Sequence, residues 1–181
     1  SMTQRAGRAG RLEPGICLHL IAKQQAERAA AQSDPEILQS DLSSLLLELL
    51  QWGCQDPAEL RWLDLPPEIN LAAARRLLTA LSALEGGRLS ARGRKMAALG
   101  NDPRLAAMLI AADSPDAAAT AAKLAAILEE PPRGANSDLG SAFARQQPAW
   151  QQRAQQLLKR LGGRVGHPDA QSVPALLAPA F

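Results

Sequence analysis

Residues 70–100 read NLAAARRLLTALSALEGGRLSARGRKMAALG, and this stretch is the most informative one about the fold. Apolar side chains recur every three or four positions as far as Leu84, which predicts an amphipathic helix capped by Asn70. Gly86-Gly87 predicts the end of that helix and a tight turn, with a brief extended piece after it. Ser90 then predicts the cap of a further short helix.

Two shorter helices are predicted upstream of this stretch. Leucines at helical spacing begin at Leu42 and stop at Gly53, and Asp56-Pro57 is the start signal of a second helix. Three helices followed by a glycine-turned hairpin are the pattern of a winged helix, which we assign to residues 33–100. The predicted wing is basic, with Arg88, Arg92, Arg94 and Lys95.

The remaining chain is predicted to be helical as far as residue 162. Residues 101–162 are therefore assigned to a helical bundle, and residues 163–181 to a mobile loop and the start of a further element. The helix-start signals of the bundle are Asp102-Pro103, Ser114-Pro115, Ser137 and Gln147-Pro148.

Residues 4–11 read QRAGRAGR and form a basic motif at the beginning of the chain. On a helix, Arg5, Arg8 and Arg11 would share one face because residues three apart are neighbours. The glycines between them remove side-chain bulk, and planar guanidinium groups suit phosphate oxygens. The alternative is a disordered basic arm.

Residues 16–21 read ICLHLI, an apolar run long enough for one buried strand, and they follow a turn signal at Glu13-Pro14-Gly15. A cationic helical turn, a tight turn and a strand in this order resemble the last motif of superfamily-2 helicases. We assign residues 1–32 to the remnant of a RecA-like domain. The predicted fold class is therefore mainly α: a winged helix and a helical bundle, with a short β remnant at the N-terminus.

The order of the elements extends this resemblance over nearly the whole chain. In DEAH-box RNA helicases the arginine motif precedes a winged helix and a helical bundle known as the ratchet or HA2 domain. LSARGRKMA at residues 89–97, DPRLAAML at 102–109 and KLAAIL at 123–128 are similar to family segments in the expected order. SDLG at residues 137–140 is similar to the bacterial HrpB type. The chain thus resembles the C-terminal part of such a helicase.

The resemblance implies roles for individual residues. Gln4, Arg8 and Arg11 match family positions that face the γ-phosphate of ATP, with Arg8 and Arg11 as catalytic arginine fingers. A phosphate-cradle motif and a magnesium-binding Asp-Glu-x-His box are absent from the sequence. We therefore expect the full-length parent to be an ATP-dependent RNA helicase that uses ATP and Mg²⁺. The 181-residue chain alone is expected to be inactive and to bind no cofactor.

Charge is unevenly distributed, which favours two separate phosphate contacts. Residues 1–11 carry three arginines and no acid, residues 12–130 carry a net charge of −5, and residues 131–181 a net charge of +4. The resemblance implies that the bundle lines a channel for single-stranded RNA, bound independently of sequence, beside the other helicase domains. Candidate RNA contacts are Arg133, Arg145 and Arg153 in the bundle, and Arg88, Arg92 and Arg94 in the wing.

Composition excludes several other classes. Three Trp, two Phe and no Tyr argue against an aromatic platform for stacking nucleic-acid bases. Cys17 and Cys54 predict buried thiols in a reducing compartment, and we expect a cytoplasmic protein with no membrane span. His19 and His167 lack companions at metal-ligand spacing, so no metal site is expected.

Two other functions stay open at this level. A winged helix with a basic wing is typical of a free-standing DNA-binding regulator, and a helical bundle is typical of an adaptor that binds proteins. A regulator has no need of an arginine motif that leads into a strand, which favours the helicase interpretation.

Overall fold

The computed structural model describes residues 2–18, 20–22, 24–25, 35–100, 102–132, 138–163, 166–178 and 180. Short 3₁₀ turns occur at Glu36–Leu38, Pro57–Glu59 and Ala170–Ser172. A hairpin is formed by β1 (Leu84–Glu85) and β2 (Arg88–Leu89). The α-helices are α1 (Met2–Ala9), α2 (Ser43–Gln51), α3 (Glu68–Ala80), α4 (Ala91–Leu99), α5 (Pro103–Ala111), α6 (Pro115–Glu129), α7 (Leu139–Ala144), α8 (Pro148–Arg160) and α9 (Val173–Leu177).

The hairpin is the one predicted at the double glycine. Leu84 lies opposite Leu89, and Glu85 opposite Arg88. The φ angles of Gly86 and Gly87 are both positive, 56° and 77°. A two-residue turn of this kind matches the right-handed twist of its strands and strongly favours glycine.

Helix α3 differs from the prediction at both ends. It begins at Glu68 after Pro67, and Asn70 instead donates a 3.3 Å side-chain hydrogen bond to the carbonyl of Leu38. It ends at Ala80, because Ser82 adopts a φ of 56° and turns the backbone away from the helix. Leu84, expected in the helix, is therefore a strand residue.

Three of the predicted capping residues are confirmed, whereas Gln147 makes no side-chain capping hydrogen bond before α8. Ser90, Asp102 and Ser114 each accept a hydrogen bond from a backbone N–H in the first turn of their helix, at 2.8 to 3.1 Å. Asp56 caps only a 3₁₀ turn. Ser137 lies outside the described residues, and Asp138 caps α7.

Helices α6 and α8 pack along each other, while α2 packs on α3 and α4 on α5. Helix α6 presents a face of alanines that is fully buried, which lets its neighbours approach closely. Buried side chains from Leu42 to Ala180 belong to one connected core cluster. The mainly helical fold is confirmed, and the order of its elements is consistent with a winged helix followed by a bundle. The domain boundaries stay a prediction.

The apolar segment near the N-terminus does not form the predicted strand. Residues 16–18 and 20–22 have no strand conformation, and Ile16 and Leu18 are more than 80% exposed. A strand is stabilised by hydrogen bonds to a neighbouring strand, and β1 and β2 pair only with each other among the described residues. Cys17 is also exposed and Cys54 half-buried, so the prediction of buried thiols is wrong.

The described part of the C-terminal segment is attached to α6. The backbone N–H of His167 donates to Asp116 Oδ1 at 2.8 Å, and that of Asp169 donates to the hydroxyl of buried Thr120 at 2.9 Å. Leu176 on α9 is buried in the common core. The sequence predicts a mobile loop and the start of another element here, but these contacts attach the segment to the bundle.

Candidate functional site

The arginine motif lies at the end of α1. Arg8 is in the last turn of the helix and Arg11 follows it, and both side chains are exposed. The helix ends at Ala9, so Arg11 does not continue the helical ridge expected from the spacing. Gln4 lies on α1, and its side chain is outside the described residues.

The described part of this segment has cations that suit a phosphate group, but it supplies no cluster of metal ligands. A methyl group added at Gly7 or Gly10 would meet no other atom within 4 Å, so the backbone beside the arginines is open to approach. Exposed guanidinium groups are suitable partners for phosphate oxygens. Across the described ranges, no group of three or more His, Cys, Asp or Glu side chains is placed to hold a metal ion. The described residues of this segment therefore offer exposed cations and no group of metal ligands.

The three arginines predicted on the wing have different environments. Arg88 is exposed on β2, opposite Glu85. Arg94 is exposed on α4, where its Nη1 donates to the carbonyl of Leu89 at 3.0 Å. Arg88 is thus part of the hairpin, and the Arg94 side chain contacts the hairpin at Leu89.

Arg92 instead lies between two helices. It is half-buried, and its Nη2 donates to the carbonyl of Ala107 on α5 at 3.2 Å. Its Nε is buried and makes no hydrogen bond within the described structure. These contacts attach α4 to α5.

In the bundle, Arg153 is engaged by a carboxylate. Its Nε donates to Glu129 Oε2 at 2.6 Å and its Nη2 to Glu129 Oε1 at 2.9 Å. The hydrogen bonds to Glu129 raise the pKa of Arg153, although partial burial acts in the opposite direction. Glu129 is the last residue of α6 and Arg153 lies on α8, so the pair joins two helices.

Arg145 follows α7 and is exposed beside a shallow cleft that also includes Glu130 and Trp150. The indole N–H of Trp150 donates to the carbonyl of Glu130 at 3.0 Å and fixes one wall of that cleft. Arg133, the other arginine predicted in this region, lies outside the described residues. The structure therefore does not bring Arg133, Arg145 and Arg153 together as one described group.

Sequence reasoning missed two cations that join predicted domains. Arg104 on α5 forms a 3.3 Å ion pair with Asp41, just before α2. Arg160, at the end of α8, donates to the carbonyl of Leu99, the last residue of α4. Arg104 follows a capping signal, but its partner is 63 residues away and has no local signature in the sequence.

Comparisons with known proteins bear on the whole chain. It is 75% identical over all 181 residues to the ATP-dependent RNA helicase HrpB of Escherichia coli, and it spans 22% of that protein. It is 36% identical over 120 residues to an ATP-dependent RNA helicase HrpA homolog of Haemophilus influenzae, covering 62% of this chain and 9% of that protein. No family model matches the chain.

Solved structures give the same result for the fold. The crystal structure of the Escherichia coli DEAH/RHA helicase HrpB superposes with a TM-score of 0.91, covering 99% of this chain and 23% of that one. A second crystal structure, of the E. coli DExH-box NTPase HrpB, gives a TM-score of 0.85. Both are 75% identical to this chain. These matches confirm the resemblance to the HrpB type, and they favour the helicase interpretation over a DNA-binding regulator or an adaptor.

Proposed function

We propose that this chain, which matches a segment of the HrpB-type DEAH-box helicases along its entire length, acts as part of an ATP-dependent RNA helicase. The observation that carries the proposal is the 75% identity over all 181 residues. The chain spans about a fifth of that relative, so hydrolysis requires the remaining domains. The isolated chain is then inactive on ATP and binds no cofactor of its own.

The first role is at the ATP site. Arg8 and Arg11 act as arginine fingers that stabilise charge on the transferring γ-phosphoryl group, and Gln4 contacts the same phosphate. The exposure of Arg8 and Arg11 and the open backbone at the neighbouring glycines support this assignment. ATP and Mg²⁺ bind mainly to domains outside the 181 residues.

The second role is at the RNA. The hairpin region and the bundle line a channel and contact the phosphates of a single strand without reading its sequence. Arg88, Arg94 and Arg145 are exposed and available for such contacts. Movement of these regions during ATP turnover couples hydrolysis to movement of the strand.

The partners are the remaining helicase domains of the same chain. Exposed apolar side chains support this, since surfaces of this kind are typically covered in an assembled protein. They occur in the N-terminal segment and from the end of α2 to the first turn of α3: Leu12, Ile16, Leu18, Leu20, Trp52, Leu63, Leu65 and Ile69. None of the described helices is long and apolar enough to cross a bilayer. We propose that the helicase acts in the cytoplasm.

The test uses the full-length helicase that contains this segment. Arg8→Ala and Arg11→Ala should each lower RNA-stimulated ATP turnover by roughly a thousandfold or more, the magnitude typical of an arginine finger. RNA binding should change little. Arg8→Lys should restore little activity because lysine lacks the planar fork.

Arg76→Ala is the matched control, because Arg76 is an exposed arginine on α3, outside the motif. Turnover in this variant should stay normal. Near-normal turnover in both Arg8→Ala and Arg11→Ala would overturn the assignment of the ATP site. Magnesium-dependent hydrolysis by the 181-residue chain alone would overturn the proposal that it is only a part of the enzyme.

A further inference from the structure

A cavity of about 330 Å³ lies where α4, α5, α6 and α8 meet. Its wall is mostly apolar, with Leu99 from α4, Leu109 and Ile110 from α5, and Leu161 just after α8. Sites for small molecules are typically clefts of roughly 300–1,000 Å³, lined by apolar side chains and a few polar groups. The cavity has the size and lining of such a site.

Two cations complete the lining. Lys95 on α4 and Arg160 on α8 reach the cavity from different helices. The guanidinium of Arg160 donates to the carbonyl of Leu99, and this contact holds the side chain at the cavity edge. No acidic side chain lines the cavity in the part of the chain that the structure describes. The charge of the lining therefore favours an anion.

We propose that this cavity binds a small aliphatic carboxylate. The aliphatic body contacts the leucines and Ile110, and the carboxylate lies between Lys95 and Arg160. A simple anion would leave the apolar wall in contact with water, and an uncharged hydrocarbon would offer the two cations no negative charge. The site is independent of the proposed ATP and RNA contacts, because it uses neither Arg8 and Arg11 nor the exposed arginines of the hairpin.

Binding would also connect the predicted winged helix to the predicted bundle. Lys95 belongs to the predicted winged helix and Arg160 to the predicted bundle, so one carboxylate joins the two. A ligand that binds only the folded chain raises its stability by mass action. The melting temperature should therefore rise with ligand concentration.

The test is a titration of the 181-residue chain with octanoate, 1-octanol and acetate at neutral pH, followed by amide proton–nitrogen spectra. Octanoate should bind at one saturable site about fivefold more tightly than 1-octanol, the factor that corresponds to one favourable ion pair. Acetate should not bind measurably. The shifted amides should cluster at Lys95, Ile110 and Leu161.

Two variants test the cationic part and the apolar part of the site separately. Lys95→Gln should lower octanoate affinity toward that of 1-octanol, because the carboxylate then keeps Arg160 as a partner but loses Lys95. Lys159→Gln is the matched control, because Lys159 is an exposed lysine of α8 outside the cavity wall. Ala98→Leu, at the cavity edge, should weaken both octanoate and 1-octanol. Equal affinity for the two compounds, no effect of Lys95→Gln, or shifts away from these helices would overturn the proposal.

Discussion

Arg153 binds Glu129 through two parallel hydrogen bonds, of 2.6 and 2.9 Å, that join the end of α6 to the middle of α8. Planar two-point contacts of this kind are stronger and more specific than single ones. A cation selected from sequence as an RNA contact thus has a defined partner inside the bundle. Its structural contribution can be measured separately from any role at RNA.

Arg153→Ala should lower the free energy of unfolding by about 0.5–1 kcal/mol, because the pair is only partly buried. Arg153→Lys should recover part of that stability, since lysine keeps the charge but not the fork. Lys159→Ala, an exposed site on the same helix, is the control and should change stability little. Urea unfolding measures all three. An Arg153→Ala midpoint equal to that of the control would contradict the role of the pair.

Gly93→Ala should destabilise the chain by up to about 2 kcal/mol. A methyl group at Gly93 would collide with the carbonyl of Ala83 and the side chain of Leu89, which form the base of the hairpin. Crowding of this kind typically costs roughly 1–3 kcal/mol, and the gain of about 1 kcal/mol from helix propensity offsets part of that cost. Gly7→Ala on α1, where nothing lies within 4 Å, is the control and should be neutral or stabilising. Thermal unfolding distinguishes the two variants.

Sequence is a good guide where the signal is local. The helix cap at Ser90 and the tight turn at Gly86-Gly87 are predicted correctly, because a cap or a two-residue turn depends on neighbouring residues. The strand predicted at residues 16–21 is wrong, because strand formation depends on a neighbouring strand that the run itself does not reveal. At the candidate site, the arginine motif is visible in the sequence, but the Glu129 partner of Arg153 is 24 residues away and has no local signature.

Thr120→Val should loosen the C-terminal segment. The buried Thr120 hydroxyl accepts the N–H of Asp169 at 2.9 Å and donates to the carbonyl of Asp116 at 2.8 Å. Removal of such a bond costs about 0.5–1.5 kcal/mol. Thr79→Val is the matched control, since its exposed hydroxyl makes the same bond to the carbonyl four residues earlier. Hydrogen exchange at residues 166–178 should accelerate only in Thr120→Val, and equal exchange in both variants would contradict the attachment.

The contribution of Asp41 to stability should depend on pH. Burial alone would raise the pKa of Asp41, but hydrogen bonds from Ser43 and Arg104 outweigh it and hold the pKa below its ordinary value of 3.8. A lowered pKa in the folded state stabilises the chain above pH 3.8, and this stabilisation disappears as the pH falls through the folded-state value.

Asp41→Asn should therefore cost about 0.5–1 kcal/mol at neutral pH and progressively less in acid. Unfolding curves across the acid range measure the difference, with Asp113→Asn as a control at an exposed position. A cost for Asp41→Asn that stays constant into strong acid would show that the charge of Asp41 is not responsible.

The salt dependence of RNA binding should distinguish exposed arginines from an arginine that is paired with a carboxylate. Removing one phosphate-binding cation lowers the log–log salt slope by about 0.7 for a single strand. Arg88→Ala and Arg145→Ala should each lower the slope by about that amount, because both side chains are exposed. Arg153→Ala should lower it less, since Glu129 already neutralises much of its charge.

Two further variants and a change of RNA make the salt titration specific. The double variant Arg88→Ala/Arg145→Ala should show about twice the single effect if the two arginines bind different phosphates. Arg76→Ala, on α3 and so in neither of these regions, should leave the slope unchanged. Single strands of different sequence should give the same slopes, because phosphate contacts carry no sequence information. Unchanged slopes in both single variants would remove the hairpin region and the α7–α8 turn from the RNA path.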